Sequence, residues 1–518
     1  MTPRTKRLLL GVAAVVAVSL GFLLEERVRG VVALTRWQAE MRAKGEELTV
    51  AEVLRSAPTN PECLSLNPSE AASRWANVAS STGFPPAMRY LAPGRAQVVW
   101  QSDSWRLEGG CGNDWAHFRS SFEKVMPTVD LLCADLTNQP FVVRLDYEQG
   151  LATPIPHLGR YKGAAVTLKT ATQLALRQRR LDLATDNLLA MAALAALSEG
   201  DGLFVGERAR HATVAIGVAA VWEALHADGW SDTMLGAVQA AWQRPDFLHG
   251  MARALQTERA VGSLVYERGR YSARELSEFM QAVGAPPWGG SDSEKFTDEL
   301  GWVGEGLHSL VNFGLRCRYW MGFGVWRVAW VEQDQLRYQR LLQQSIEGLR
   351  RAAREGWSAG KPSSTILRES SLRDASTLVG AGWQGTRCWV SLTLLPVLEG
   401  GPEKATLAEA QRGLAVTALA IKRYQLRYGR LPDRMEAMVP ELLRAVPRDW
   451  FSDTPLHYRR KPDGSFLLYS VGLDGEDNGG DARPTVAGAE PSFARSYDLV
   501  WPQPASAAEV AAFESALP

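Results

Sequence analysis

Leu181-Asp182-Leu183-Ala184-Thr185-Asp186-Asn187-Leu188-Leu189-Ala190-Met191-Ala192-Ala193-Leu194-Ala195 is the stretch whose periodicity sets the fold class. Leu181, Ala184, Leu188, Met191 and Ala195 recur at steps of 3, 4, 3 and 4, which lines them along one helical face. Gly200-Asp201-Gly202 stops that helix and the next begins near Leu203. Downstream, Ser231 is an N-cap for a helix carrying Met234, Leu235, Val238 and Trp242, and Pro245 closes it. The pattern runs from about Leu158 to Glu399 without a fixed repeat period. Short helices joined by short turns predict a mainly α protein whose body, residues 161–400, is a helical bundle or an irregular solenoid.

The composition supports a packed core. The chain has 518 residues, 46% of them hydrophobic and 22% charged. Lys+Arg and Asp+Glu both number 57, so no cationic surplus is present to drive nucleic-acid binding. Five cysteines are too few for a disulfide scaffold.

Upstream of the body, Arg4, Lys6 and Arg7 precede an uncharged run from Leu8 to Leu24, followed by Glu25 and Glu26. Seventeen residues rising about 1.5 Å each are just long enough to cross a hydrocarbon core. We expect residues 1–30 to form a cytoplasmic tail and a transmembrane signal anchor. A cleaved signal peptide, cut after Ala17-Val18-Ser19, and a buried helix are the alternatives. The basic flank places the tail inside and the main body outside the cytoplasm. There Cys63, Cys111 and Cys133 have the chance to pair, whereas Cys317 and Cys388 read as buried thiols.

Residues 31–160 read as a charged stalk helix to about Ala57, then a mixed region. Between Gly284 and Gly290 a Gly/Pro-rich break interrupts the body, and Tyr319, Trp320, Trp326 and Trp330 follow. Arg316, Arg318 and Arg327 each cost about 2.5–3.5 kcal/mol at a bilayer centre, which argues against a second span. An aromatic core helix is expected, with an interfacial helix as the alternative.

Candidate chemistry is sparse. Glu223/His226 and Glu305/His308 place Glu and His at i, i+3, the pairing used by di-iron and di-manganese bundles. Gly380, Gly382 and Gly385 have dinucleotide-fingerprint spacing in helical surroundings. Gly356 to Lys361 is one residue short of a phosphate loop, and Pro362 replaces its hydroxyl. No zinc-protease, serine-elbow or paired Cys-x-x-Cys motif is present.

The final segment, 401–518, changes character. Thr406 and Glu409 have capping-box spacing before a stripe of Leu407, Ala410, Leu414, Ala418 and Ile421, and Gly429 supplies the stop. Pro462-Asp463-Gly464 predicts a hairpin turn between strands near Tyr458 and Tyr469. Behind it come Asp474, Glu476, Asp477, Asn478 and Asp481, hard oxygen donors among glycines of the kind calcium prefers.

Tyr428 to Pro432, Pro447 to Asp449, Pro455 to Tyr458 and Leu468 to Gly475 occur in an order that resembles the globular part of type II secretion major pseudopilins. The resemblance implies a small α+β pseudopilin-like domain and calcium held by Asp474, Asp477 and Asp481. Asp498-Leu499-Val500-Trp501 resembles the closing strand of such modules. The chain departs from that family at its start, where no Gly precedes Leu8 and the span ends at Leu24, far from Thr406. The helical remainder resembles uncharacterised bacterial envelope proteins. The combined expectation is an inner-membrane, single-pass envelope protein with a periplasmic body and a non-catalytic binding or assembly role. Its partners would be the membrane and envelope or secretion-system proteins. The alternative is a di-iron or di-manganese enzyme housed in the helical body.

Overall fold

The computed structural model describes residues 2–56, 64–78, 83–106, 113–138, 141–197, 202–272, 274–276, 321–360 and 387–516. The protein is mainly α. Its principal helices are α1 (Pro3–Ala43), α2 (Leu158–Arg177), α3 (Leu181–Leu197), α4 (Phe204–Leu225), α5 (Asp232–Trp242), α6 (Phe247–Gly269), α7 (Val331–Glu355), α8 (Gly401–Tyr428) and α9 (Ala507–Ala516). The periodic stretch forms α3 as expected, and Ala184, Leu188, Met191 and Ala195 are all buried. Ser231 caps α5 by accepting the Met234 amide at 3.1 Å.

Helices α2, α3 and α4 pack on one another, α8 lies against α4, α5 and α6, and α6 lies against α7. One continuous apolar core runs from Ala71 to Trp501, so the C-terminal segment shares its interior with the helical body. Small sheets decorate it. Strands β1 (Arg89–Ala92) and β2 (Arg95–Gln97) are antiparallel. The hairpin β3 (His457–Arg460) and β4 (Phe466–Ser470) is joined by β5 (Leu499–Val500) in antiparallel order. The two-residue strand β6 (Gln503–Pro504) then crosses over to pair in parallel with β2. That crossover ties the chain's end to its N-terminal third, and Trp222 Nε1 donates to the Pro502 carbonyl at 2.8 Å across the seam.

The hairpin turn forms as its sequence predicts: Gly464 takes φ +82° and the Asp463 carboxylate accepts the Ser465 amide at 2.8 Å. Gly429 ends α8 in the left-handed conformation, φ +69°. The capping box at Thr406 does not form. Helix α8 begins five residues earlier, after Gly400 with Pro402 in its first turn, a position where proline's missing donor costs nothing. Thr406 therefore lies inside the helix, donating to the Pro402 carbonyl at 2.9 Å. Glu409 is buried and caps a different helix, accepting the Phe247 amide that opens α6 at 2.7 Å.

Helix α1 is 41 residues long and runs unbroken from the apolar run into the expected stalk, but it ends at Ala43, and a separate short helix at Val50–Ser56 completes that stretch. The apolar half of α1 is bare: Leu8, Leu10 and Val18 are each about 70% exposed. This is one N-terminal helix long and apolar enough to span a membrane. Its second half is docked, with Leu34, Trp37 and Met41 buried against Leu336 of α7.

Candidate functional site

A concavity of about 770 Å³ opens where the segment 86–91, helices α2 and α4, and the C-terminal strap 490–494 meet. Val166, Ile216, Phe493 and Phe513 give it an apolar lining. Its size falls in the range of small-molecule sites.

The wall formed by residues 85–91 is held by side chains from two helices. Lys169 and Gln173 lie one turn apart on α2: the Lys169 ammonium donates to the Pro85 carbonyl, and Gln173 Nε2 donates to the Pro86 carbonyl at 2.7 Å. From α4, Glu223 Oε1 accepts the amides of Met88 and Val99, each at 3.1 Å. Met88 sits at φ +47°, a left-handed conformation that an unbranched side chain tolerates only when neighbours impose it. Glu223 holds the Met88 amide, and Lys169 and Gln173 hold the Pro85 and Pro86 carbonyls just upstream.

Burial shapes the electrostatics. Glu223 is wholly enclosed, and loss of hydration pushes its carboxyl up to about 7 against the backbone amides that favour the charged form. Lys169, also enclosed, is pushed down to about 8 by burial, with Glu223 opposing. Among the described residues no carboxylate lies within ion-pair distance of the Lys169 nitrogen. An ammonium has three donors and this one spends one on Pro85. The hydroxyls of Tyr90 and Ser492, both residues of the cavity lining, are buried without partners among the described residues. Helix α9 is fastened by Arg95, which grips Glu509 at 2.9 and 2.5 Å, and by the Arg89 guanidinium 4.8 Å above the Phe513 ring.

The residues expected to bind metal are placed otherwise. Asp474 accepts the Glu476 amide and the Asn478 side chain, at 3.1 and 3.2 Å. Asp477 accepts the Tyr469 hydroxyl and the Gly479 amide, both at 2.9 Å. Asp481 is clamped by the Arg483 guanidinium at 2.9 and 2.6 Å, which holds its carboxyl below the usual range. Among the described residues no three acidic, histidine or cysteine side chains converge on a common point. Each of the three carboxylates is instead engaged by its own local donor. The bend is organised by Asp498, whose carboxylate accepts the amides of Asn478, Gly480 and Asp481 at 3.3, 2.7 and 2.8 Å.

Glu223 and His226 do not form a ligand pair either: Glu223 holds backbone amides, while the His226 ring packs on Trp222 with centroids 4.4 Å apart. Glu305, His308, Cys63, Cys111, Cys317 and the glycines at 380, 382 and 385 lie outside the described residues. Cys133 and Cys388 carry free thiols. Burial pushes Cys133 up to about 12, with Asp186 and Asp130 adding to it, which keeps it in the thiol form at neutral pH.

Sequence reasoning missed Lys169. The signal was present: it is the one charged residue between Gly163 and Leu176, a run otherwise rich in Ala, Leu and Thr. No family model matches the chain, and neither the curated proteins nor the solved structures contain a significant match to it.

Proposed function

We propose that this chain is a membrane-tethered, non-catalytic binding protein whose cavity takes an amphiphile with one anionic headgroup. The observation that carries the proposal is the enclosed Lys169 ammonium, which lines an apolar cavity and retains donors beyond its bond to Pro85. The Tyr90 and Ser492 hydroxyls in the same lining add donors for a carboxylate or phosphate, and Ile216, Phe493 and Phe513 suit an aliphatic remainder. The basic N-terminal tail and the pseudopilin resemblance support an inner-membrane anchor with the body in the periplasm. Envelope or secretion-system proteins are the partners that this placement suggests.

The test is binding of a fluorescent long-chain carboxylate to the full chain in nanodiscs, with empty nanodiscs as the blank. Replacing Lys169→Met removes a charge-assisted hydrogen bond worth about 1.5–3 kcal/mol, so affinity falls roughly 10- to 100-fold. Ligand affinity in the wild type also falls as pH rises through about 8, where Lys169 loses its proton. Equal affinity in wild type and variant sinks the proposal.

A further inference from the structure

Helices α1 and α7 run parallel, and their contacts rise in step. Glu26 Oε2 accepts Trp330 Nε1 at 3.1 Å, and the Glu26 carbonyl accepts Gln333 Nε2 at 2.7 Å. Gly30 lies against Glu332 and Gln333, Gln38 bonds Gln339 at 3.4 Å, and Glu46 pairs with Arg350. Helical backbone continues upstream of α7 through a π-turn at Trp326–Trp330 and through residues 321–325. Parallel direction means that this extension descends beside α1 towards the N-terminus, below the level of Glu26.

The depth follows from helix rise. Glu26 lies two residues past Leu24, the last residue of the apolar run. Nine residues separate Trp330 from Met321, which at about 1.5 Å each carries Met321 roughly 13 Å lower, level with about residues 17–20 of α1. That is inside the stretch long and apolar enough to span a membrane. The surface exposed there is apolar: Met321 is 66% and Val328 45% exposed, while Phe323 and Trp326 turn inward onto Trp389. Arg327, three residues below Trp330, comes at the height of the headgroups, where a guanidinium reaches phosphate by extending its stem along the interface.

We infer that Met321–Trp330 is a second membrane-contacting element, seated in the leaflet beside the anchor, with acyl chains against Met321 and Val328. The inference rests on α1 spanning the bilayer. Together the two elements fix the tilt of the body on the membrane, which a single helix leaves free to swivel.

The test uses full-length protein in phosphatidylcholine–phosphatidylglycerol vesicles, with an environment-sensitive fluorophore on single cysteines in a background lacking native ones. Labels replace Val15, Met321 or Val486, and lipids spin-labelled along the acyl chain act as quenchers. The anchor label at 15 and the label at 321 should both be quenched several-fold more than the one at 486, an exposed site on the C-terminal segment. Quenching at 15 with position 321 no different from 486 overturns this inference alone. Absence of quenching at 15 overturns the spanning role of α1 and this inference with it.

Discussion

The buried carboxyl of Glu223 gives the site a pH signature that can be isolated by substitution. Its folded-state value is raised by burial from 4.5 to about 7. Between those values the folded chain holds a proton that the unfolded chain has released, so stability declines as pH rises across this window and levels off above it. A gap of about 2.5 pH units corresponds to roughly 3 kcal/mol at 1.36 kcal/mol per unit. Glu223→Gln removes the titration while keeping an oxygen that can accept the Met88 and Val99 amides. Glu258, raised to about 7, and Asp334, raised to about 6, titrate in the same range, so the informative quantity is the variant-minus-wild-type difference. Denaturant unfolding of detergent-solubilised protein from pH 4.5 to 8 should show that difference moving by about 3 kcal/mol in favour of glutamine. Glu223→Ala should be destabilised at every pH, by about 1–3 kcal/mol for each of the two abandoned amides. A glutamine-minus-wild-type difference that is flat with pH would refute the enclosed, proton-holding carboxyl.

Three further outcomes are expected. Asp498→Ala frees the amides of Asn478, Gly480 and Asp481 and exposes the bend at 472–483 to proteolysis, whereas adding calcium or chelator to the wild type leaves its melting temperature unchanged. A calcium-dependent rise in melting temperature would instead restore Asp474, Asp477 and Asp481 as ligands. Cys133, at about 12, should react with thiol reagents at pH 8 on the order of 10³-fold more slowly than an unperturbed thiol, read by peptide mass mapping; labelling at the ordinary rate contradicts its burial beside Asp186. Gly30→Leu sets a Cβ 2.9 Å from Gln333 Cγ and should cost about 1–3 kcal/mol in denaturant unfolding, while Gly21→Leu, facing open space, should cost nothing measurable.

Much of the architecture is written in short-range chemistry. The helix over Leu181–Leu197, the Ser231 cap, the Gly429 stop and the hairpin at Asp463-Gly464 each depend on residues within a few positions of one another, and local pattern suffices to find them. The apolar run at Leu8–Leu24 is legible for the same reason. Thr406 shows the limit of such reasoning: its spacing with Glu409 satisfies a local rule, but an earlier glycine and proline start the helix, and the buried Glu409 serves the Phe247 amide 162 residues away. The acidic bend is a similar case, since Asp498, outside the cluster that attracts the eye, supplies its organising carboxylate.

The amino-acid order alone thus determined the helical class, the apolar leader and the turn positions, because these follow from the backbone preferences and hydrophobicity of neighbours in the chain. Only the tertiary structure decided that Lys169 lines a cavity together with Tyr90 and Ser492, that Glu223 clamps the Met88 and Val99 amides, and that α7 runs parallel beside α1. Those facts depend on groups tens to hundreds of residues apart. Their charge states and exposure come from the dry surroundings that packing creates, which no window of sequence contains.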